Sequence, residues 1–107
     1  MSNKVDYIDM IAYQKWVRKM WTNKNRKLEL RDFYIMSVGL GGETGEVLEI
    51  LKKSVRDNKI DKVHLVEELG DVLYYLAMIC NYQKISLANV IESNVKKINI
   101  RYGKKRK

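Results

Sequence analysis

Two short acidic segments, Glu43-Thr-Gly-Glu46 and Glu68-Leu-Gly-Asp71, stand 25 positions apart in this chain, and an apolar run follows each of them. The i, i+3 spacing places both acids of each segment on one face of a helix. The apolar residues within 47–51 and 72–77 mark these helices as core-forming. Carboxylates beside a hydrophobic core must be protonated, pair with bases or bind a cation. The repeat therefore predicts two core helices that carry one acidic site.

The chemistry of this acidic site favours a hard divalent cation. Carboxylate oxygens suit Mg²⁺, with Mn²⁺ able to substitute, and the chain has a single cysteine and a single histidine. Gly45 and Gly70 each cost about 1 kcal/mol relative to alanine inside a helix, so their matched positions predict a close approach of two backbones around a shared ion. Ordinary solvated helix faces are the alternative for each acidic segment. The predicted metal ligands are Glu43, Glu46, Glu68 and Asp71.

Length and composition predict an all-α fold. The chain has 107 residues, no proline and 46% apolar residues, which suits one domain of long helices. We expect a compact bundle of four or five helices over residues 1–102, followed by a basic tail at 103–107. The longest apolar run, 72–80, is too short to span a bilayer, and no signal-peptide core precedes the domain. These features predict a cytoplasmic protein without a membrane segment, in which Cys80 is a buried thiol.

Hydrophobic spacing and caps predict the helices at about 6–20, 29–57, 61–82 and 86–102. In the first helix, Ile11, Trp16 and Met20 belong to the predicted buried stripe. Asp61 and Ser86 are the predicted N-caps of the third and fourth helices. The glycines at 39, 41 and 42 could interrupt the second predicted helix.

The net charge of +8 indicates an anionic partner, either a polyphosphate or a nucleic acid. On the fourth helix, Asn94, Lys97 and Arg101 recur at spacings of 3 and 4 beside an apolar stripe, so one amide and two cations share a face. That face could hold phosphate oxygens. A solvated polar face with snorkelling basic side chains explains the same pattern equally well.

Three segments together resemble the MazG-like nucleoside triphosphate pyrophosphohydrolases, the all-α NTP pyrophosphatases. They are Gly39-Leu-Gly-Gly-Glu-Thr-Gly-Glu46, Glu67-Glu-Leu-Gly-Asp-Val-Leu-Tyr-Tyr-Leu76, and the pattern Asn94-x-x-Lys97-x-x-x-Arg101-Tyr102. Their order and separation carry the resemblance, which covers about residues 7–102. One departure is Gly103, where proline is expected in many relatives, and it affects only the path of the tail.

The resemblance implies an enzyme of nucleotide metabolism with a house-cleaning role. It implies Mg²⁺-dependent hydrolysis of a nucleoside triphosphate, a dNTP or a non-canonical nucleotide, to nucleoside monophosphate and pyrophosphate. It also implies a homodimer or homotetramer. The four acidic residues match the family's metal ligands, and Lys97 and Arg101 match its phosphate-contacting cations, with Asn94 beside them.

The sequence defines less sharply which carboxylate activates the attacking water and which side chains bind the nucleobase. Glu46, or else Glu43, is the carboxylate expected to orient or deprotonate the attacking water. Glu49 and Glu67 are expected to be solvated or outer-layer neighbours, and His64 a surface or capping residue. The side chains expected to bind the nucleobase are Trp16, Tyr13, Gln14 and Tyr75.

Two other functions fit the sequence less well. A small basic helical nucleic-acid-binding protein explains the charge and the tail, but it leaves the two acidic segments unexplained. A di-iron helical bundle requires two Glu-x-x-His pairs, which a single histidine cannot supply.

Overall fold

The computed structural model describes residues 9–23 and 25–103, which form four α-helices and no strand. The all-α prediction is thereby confirmed, with four helices. None of them combines the length and the apolarity needed to cross a membrane. The helices are α1 (Met10–Trp21), α2 (Leu30–Asp57), α3 (Lys62–Gln83) and α4 (Leu87–Tyr102).

The helix boundaries follow from local caps. Asp61 accepts a hydrogen bond from the His64 backbone N–H at 3.1 Å, and Ser86 caps α4 as predicted. Asp9 accepts from the backbone N–H of Ala12 at 2.7 Å, so α1 begins at Met10, later than the predicted start near residue 6. Residues 1–8 lie outside the described part of the chain. Left-handed residues at 58 and 84 end α2 and α3.

The glycines of α2 and α3 do not have the role that the sequence suggested. α2 continues through Gly39, Gly41 and Gly42. A Cβ atom added at Gly45 or Gly70 would have no neighbour within 4 Å, so the predicted close approach of two backbones at these positions is wrong. Gly39 is the crowded glycine, because a Cβ there would lie 2.5 Å from the ring of Tyr75.

α3 is the central helix of the fold. It packs against α2 in an antiparallel pair joined by the short turn at 58–61, and against α1 on its other side, while α4 packs on α1. Cys80 is buried, as predicted, at 6% exposure. The buried apolar core consists of Val17, Met36, Ala77, Met78, Cys80 and Leu87.

The buried face of α1 differs from the predicted stripe. Ile11, Trp16 and Met20 are about half exposed, whereas Val17 is fully buried. Val17 shares the inward face with Tyr13 and Trp21, which pack against the core cluster. Since α1 carries apolar residues around most of its circumference, hydrophobic spacing did not identify the correct face.

A buried carboxylate ties α1 to the start of α2. Asp32 is 5% exposed, and its carboxylate accepts hydrogen bonds from the two terminal guanidinium nitrogens of Arg26 at 2.6 and 3.2 Å. The indole N–H of Trp21 donates to it at 3.0 Å, and the Glu29 backbone N–H at 2.8 Å. These donors, with Arg26 foremost, hold the pKa of Asp32 well below its usual range. We call these four residues the Asp32 node.

Gln14 of α1 joins the turn between α3 and α4. Its side-chain amide donates to the Ile85 carbonyl at 2.8 Å and accepts from the Leu87 backbone N–H at 2.8 Å. Asn81 donates from its side chain to the Gln14 carbonyl at 3.1 Å. The start of α4 is therefore fixed to α1, whereas residues 89–102 are all exposed.

Candidate metal and nucleotide site

Three carboxylates from α2 and α3 meet at the middle of the helix pair. Glu43 comes from α2, and Glu68 and Asp71 come from α3, with one oxygen of each within 4.8 Å of the others. We call these three residues the carboxylate cluster. Its position follows from the antiparallel pairing, which brings the two acidic segments of the sequence together across the α2–α3 interface. Three of the four predicted metal ligands therefore converge.

The fourth predicted ligand, Glu46, lies one helical turn from Glu43 and is exposed. It does not belong to the group of oxygens within 4.8 Å. It lines a cleft that opens beside the cluster toward the α2–α3 turn. Glu46 is therefore placed next to the cluster, where it could reach a bound ion, a water molecule or substrate.

The cluster is electrostatically crowded. A hydrogen bond with the Glu68 side chain, burial, and the negative charges of Glu68 and Asp71 raise the pKa of Glu43 to about 7. Two carboxylates this close share a proton unless a cation lies between them. Among the described residues, no lysine or arginine forms an ion pair with any of the three. The local chemistry thus favours either a proton or a metal ion.

His64 reaches the cluster from α3. Its Nε2 lies 3.4 Å from an oxygen of Glu68, one helical turn away, while its backbone N–H completes the cap at Asp61. The sequence interpretation assigned His64 to the surface or to a cap. The structure shows the capping contact and adds the contact with Glu68, which the i, i+4 spacing could have indicated.

An aromatic group lies on the side of the cluster away from the α2–α3 turn. Tyr13 stacks on Trp16 at 5.9 Å between ring centroids, and Trp16 meets Tyr74 edge to face at 6.5 Å. Burial first, then Tyr74 and the charge of Asp71, raise the pKa of Tyr13. Trp16 is 47% exposed, so part of its surface is available to a ligand.

Tyr75 and Gln14 are less available than the sequence suggested. The ring of Tyr75 lies against Gly39 and contacts Trp21 edge to face at 6.2 Å. Gln14 uses both polar atoms of its side chain at the α3–α4 turn. Of the four residues expected to bind a base, Tyr13 and Trp16 have the most open geometry. Tyr74, which the sequence analysis did not single out, is their third partner.

The predicted phosphate-binding residues lie elsewhere in the protomer. Asn94, Lys97 and Arg101 are exposed on α4, which packs on α1. Within the described part of the chain, no hydrogen bond or ion pair joins Lys97 or Arg101 to the carboxylate cluster. The fold of the single chain does not bring these cations to the acidic site.

Comparison with known proteins adds a family to this geometry. The model of the MazG nucleotide pyrophosphohydrolase domain matches residues 34–105, which include the carboxylate cluster and α4. The chain is also similar to the "Gene 37 protein" of Mycobacterium phage L5, at 34% identity over 71 residues. That alignment covers 62% of this chain and 62% of the phage protein. No solved structure matches.

Proposed function

Because the chain belongs to the MazG nucleotide pyrophosphohydrolase family, we propose that it hydrolyses a nucleoside triphosphate between the α and β phosphates with the help of Mg²⁺. The products are a nucleoside monophosphate and pyrophosphate. The observation that carries this proposal is the convergence of Glu43, Glu68 and Asp71 without an ion-paired cation.

The cluster fits a hard divalent ion. Its ligand atoms lie within 4.8 Å of one another, so small side-chain shifts would let the three carboxylates hold one divalent ion. The pKa of about 7 for Glu43 also fits, because a bound cation would replace the proton that it shares with Glu68. Glu46 is the proposed fourth ligand from the adjacent turn. Mn²⁺ is expected to substitute for Mg²⁺.

When bound, Mg²⁺ supplies Lewis-acid chemistry and charge neutralisation for a triphosphate that four carboxylates would otherwise repel. Glu43, Glu68 and Asp71 would hold that ion, which would neutralise charge on the α phosphate. Glu46, or alternatively Glu43, accepts a proton from the water that attacks phosphorus. The bond from the α phosphorus to the bridging oxygen breaks, and that oxygen leaves on pyrophosphate.

The nucleoside is proposed to bind at the aromatic group. The exposed part of Trp16, which stacks on Tyr13, offers an aromatic surface to the nucleoside. A dNTP or a non-canonical nucleotide is the expected substrate. The proposed enzyme acts on free nucleotides in the cytoplasm.

We further propose that the protein is a homo-oligomer, a dimer or a tetramer. Val90, Val95 and Ile98 of α4 are each more than 40% exposed, as are Val63 and Val66 of α3. Apolar surface of this extent favours burial against another chain. A second copy could also bring Lys97 and Arg101 to a carboxylate cluster. Light scattering at micromolar concentration tests the assembly, and an active monomer would contradict it.

A panel assay tests the activity. Canonical, deoxy and modified nucleoside triphosphates are incubated with Mg²⁺ or Mn²⁺, and pyrophosphate and orthophosphate are measured separately. We expect pyrophosphate and the matching monophosphate in equal amounts from at least one substrate. Release of orthophosphate alone, or no product from any substrate, would contradict the proposal.

A further inference from the structure

A cleft of about 680 Å³ lies between the last turns of α2 and the first turns of α3. The three cluster residues do not line it, but two of its lining residues adjoin the cluster. Glu46 lines it one turn from Glu43, and His64 lines it while its Nε2 lies 3.4 Å from Glu68. A ligand held at the cluster can therefore extend into this cleft without crossing a helix.

Three of the four acidic side chains that line the cleft already have local partners, and the fourth, Glu46, lies beside the carboxylate cluster. Asp57 accepts two hydrogen bonds from Arg56 at 2.8 and 2.9 Å. Asp61 caps α3, and Glu49 lies 3.8 Å from Lys52. Their negative charge is partly compensated before any ligand arrives.

The lysines of the cleft, unlike most of its acids, have no ion-pair partner among the described residues. Lys53, Lys59 and Lys62 line it, are exposed, and form no ion pair among the described residues. The charge of Lys53 contributes to lowering the pKa of Asp57, but the Asp57 carboxylate is already bound by Arg56. The outer part of the cleft thus carries uncompensated positive charge, next to a cluster that carries uncompensated negative charge.

We propose that Lys53, Lys59 and Lys62 bind the pyrophosphate end of the substrate in this cleft. The inference rests on the proposed function, because it takes the α phosphate to be held at the carboxylate cluster. From there the β and γ phosphates carry the remaining charge, and ammonium groups are effective partners for it. Ile50, which is buried, gives the cleft an apolar part of its lining, and the exposed lysine side chains would meet those phosphates at its rim.

This assignment also gives the substrate a direction along the helix pair. The aromatic group of Tyr13, Trp16 and Tyr74 lies on the side of Asp71 away from the α2–α3 turn, whereas the lysines lie toward the turn. The base therefore points away from the turn and the leaving group points toward it. Lys97 and Arg101, on α4, are the competing candidates for the same phosphates.

Binding of pyrophosphate with Mg²⁺, measured by calorimetry on the full chain, tests the inference without turnover. The variant K53A/K59A/K62A is compared with the control K19A/K27A/K96A, which removes the same charge outside the cleft. We expect the cleft variant to weaken pyrophosphate binding by about 10- to 100-fold and the control by less than about threefold. Inhibition by nucleoside monophosphate should be unchanged in both, and circular dichroism verifies that both fold.

Equal weakening in the two triple variants would overturn the inference, as would no weakening in the cleft variant or no pyrophosphate binding by the wild type. Loss of binding in K97A/R101A alone would assign the phosphates to α4. The two proposals fail separately. Lysine-dependent pyrophosphate binding without nucleotide hydrolysis removes the proposed function, whereas Glu43-dependent hydrolysis with lysine-independent binding removes only this inference.

Discussion

Asp32 and Glu43 lie on the same helix, three turns apart and on nearly the same face, yet their environments are opposite. The Asp32 node surrounds its carboxylate with donors, foremost Arg26, and lowers its pKa. The carboxylate cluster surrounds Glu43 with other acids and raises its pKa to about 7. The first arrangement is complete within the protomer. The second is complete only when a proton or a cation is added.

The two carboxylates should therefore affect stability in opposite pH ranges. The ionised Asp32 stabilises the folded state above its ordinary pKa of 3.8, and this contribution is lost as the pH falls. Glu43 destabilises the metal-free folded state as the pH rises from 4.5 to about 7, because the folded form holds its proton more tightly than the unfolded chain. A compensated carboxylate supports folding, and an uncompensated one is available for binding.

The largest expected effect is on catalysis. E43Q, E68Q and D71N should each lower the rate of pyrophosphate release by about a thousandfold or more, because each removes a proposed metal ligand. Steady-state assays at saturating Mg²⁺ provide the measurement, with E49Q as a matched acidic control outside the cluster. A variant of the three that retains a near-normal rate would show that its carboxylate is not a ligand.

The next effect is on folding. D32N should lower the free energy of unfolding by about 2–3 kcal/mol, since it weakens the pair with Arg26 and two further hydrogen bonds. The melting temperature should fall by roughly 10 °C for a domain of this size. Pyrophosphate release well below the melting temperature should be retained. D57N, at an exposed pair with Arg56, is the control and should melt like the wild type. Equal melting of D32N and D57N would mean that the node contributes little.

A smaller effect tests the cluster in the absence of metal. At pH 8 with chelator, E43Q should have a larger free energy of unfolding than the wild type, by about 1 kcal/mol once the partial solvation of the site is allowed for. Its melting temperature should be correspondingly higher. The difference should disappear well below pH 4.5, the ordinary pKa of the group, where Glu43 is protonated in both states. Added Mg²⁺ should raise the melting temperature of the wild type more than that of E43Q. A difference independent of pH would contradict the crowded-acid interpretation.

A last pair of variants on α2 tests steric crowding and helix propensity, without any change of charge. G39A should cost about 1 kcal/mol or more, because the new methyl group meets the ring of Tyr75. G42A has open space and should instead stabilise α2 by up to about 1 kcal/mol. Urea unfolding of the two variants gives the comparison. A stabilised G39A would show that Tyr75 moves away at little cost.

Local patterns in the sequence predicted much of the fold. The caps at Asp61 and Ser86 and the burial of Cys80 follow from residue types and short spacings, and all three are found. The meeting of Glu43 with Glu68 and Asp71 follows from two helical segments joined by a short turn. Each of these features depends on interactions within one helix or between neighbouring helices.

Features that depend on distant partners were harder to predict. The inward face of α1 is decided by contacts such as Trp21 with Asp32, which hydrophobic spacing does not encode. Gln14 was expected to bind a base, but the structure engages its side chain at residues 85 and 87. The lysine cleft had no sequence motif, since its cations are spread over two helices and a turn. The predicted roles of Glu46, Lys97 and Arg101 stay predictions.

The Gln14 contact sets an order of events during synthesis. α1 is made before the hydrogen-bond partners of Gln14 at Ile85 and Leu87, which lie 71 and 73 residues further along the chain. Val17, the fully buried residue of α1, likewise packs with Ala77 and Met78. α1 therefore has to wait, with its inward face exposed, until nearly all of α3 and the first turn of α4 have been made. Translation of the segment that carries Ile85 and Leu87 is the step that completes the contacts of α1.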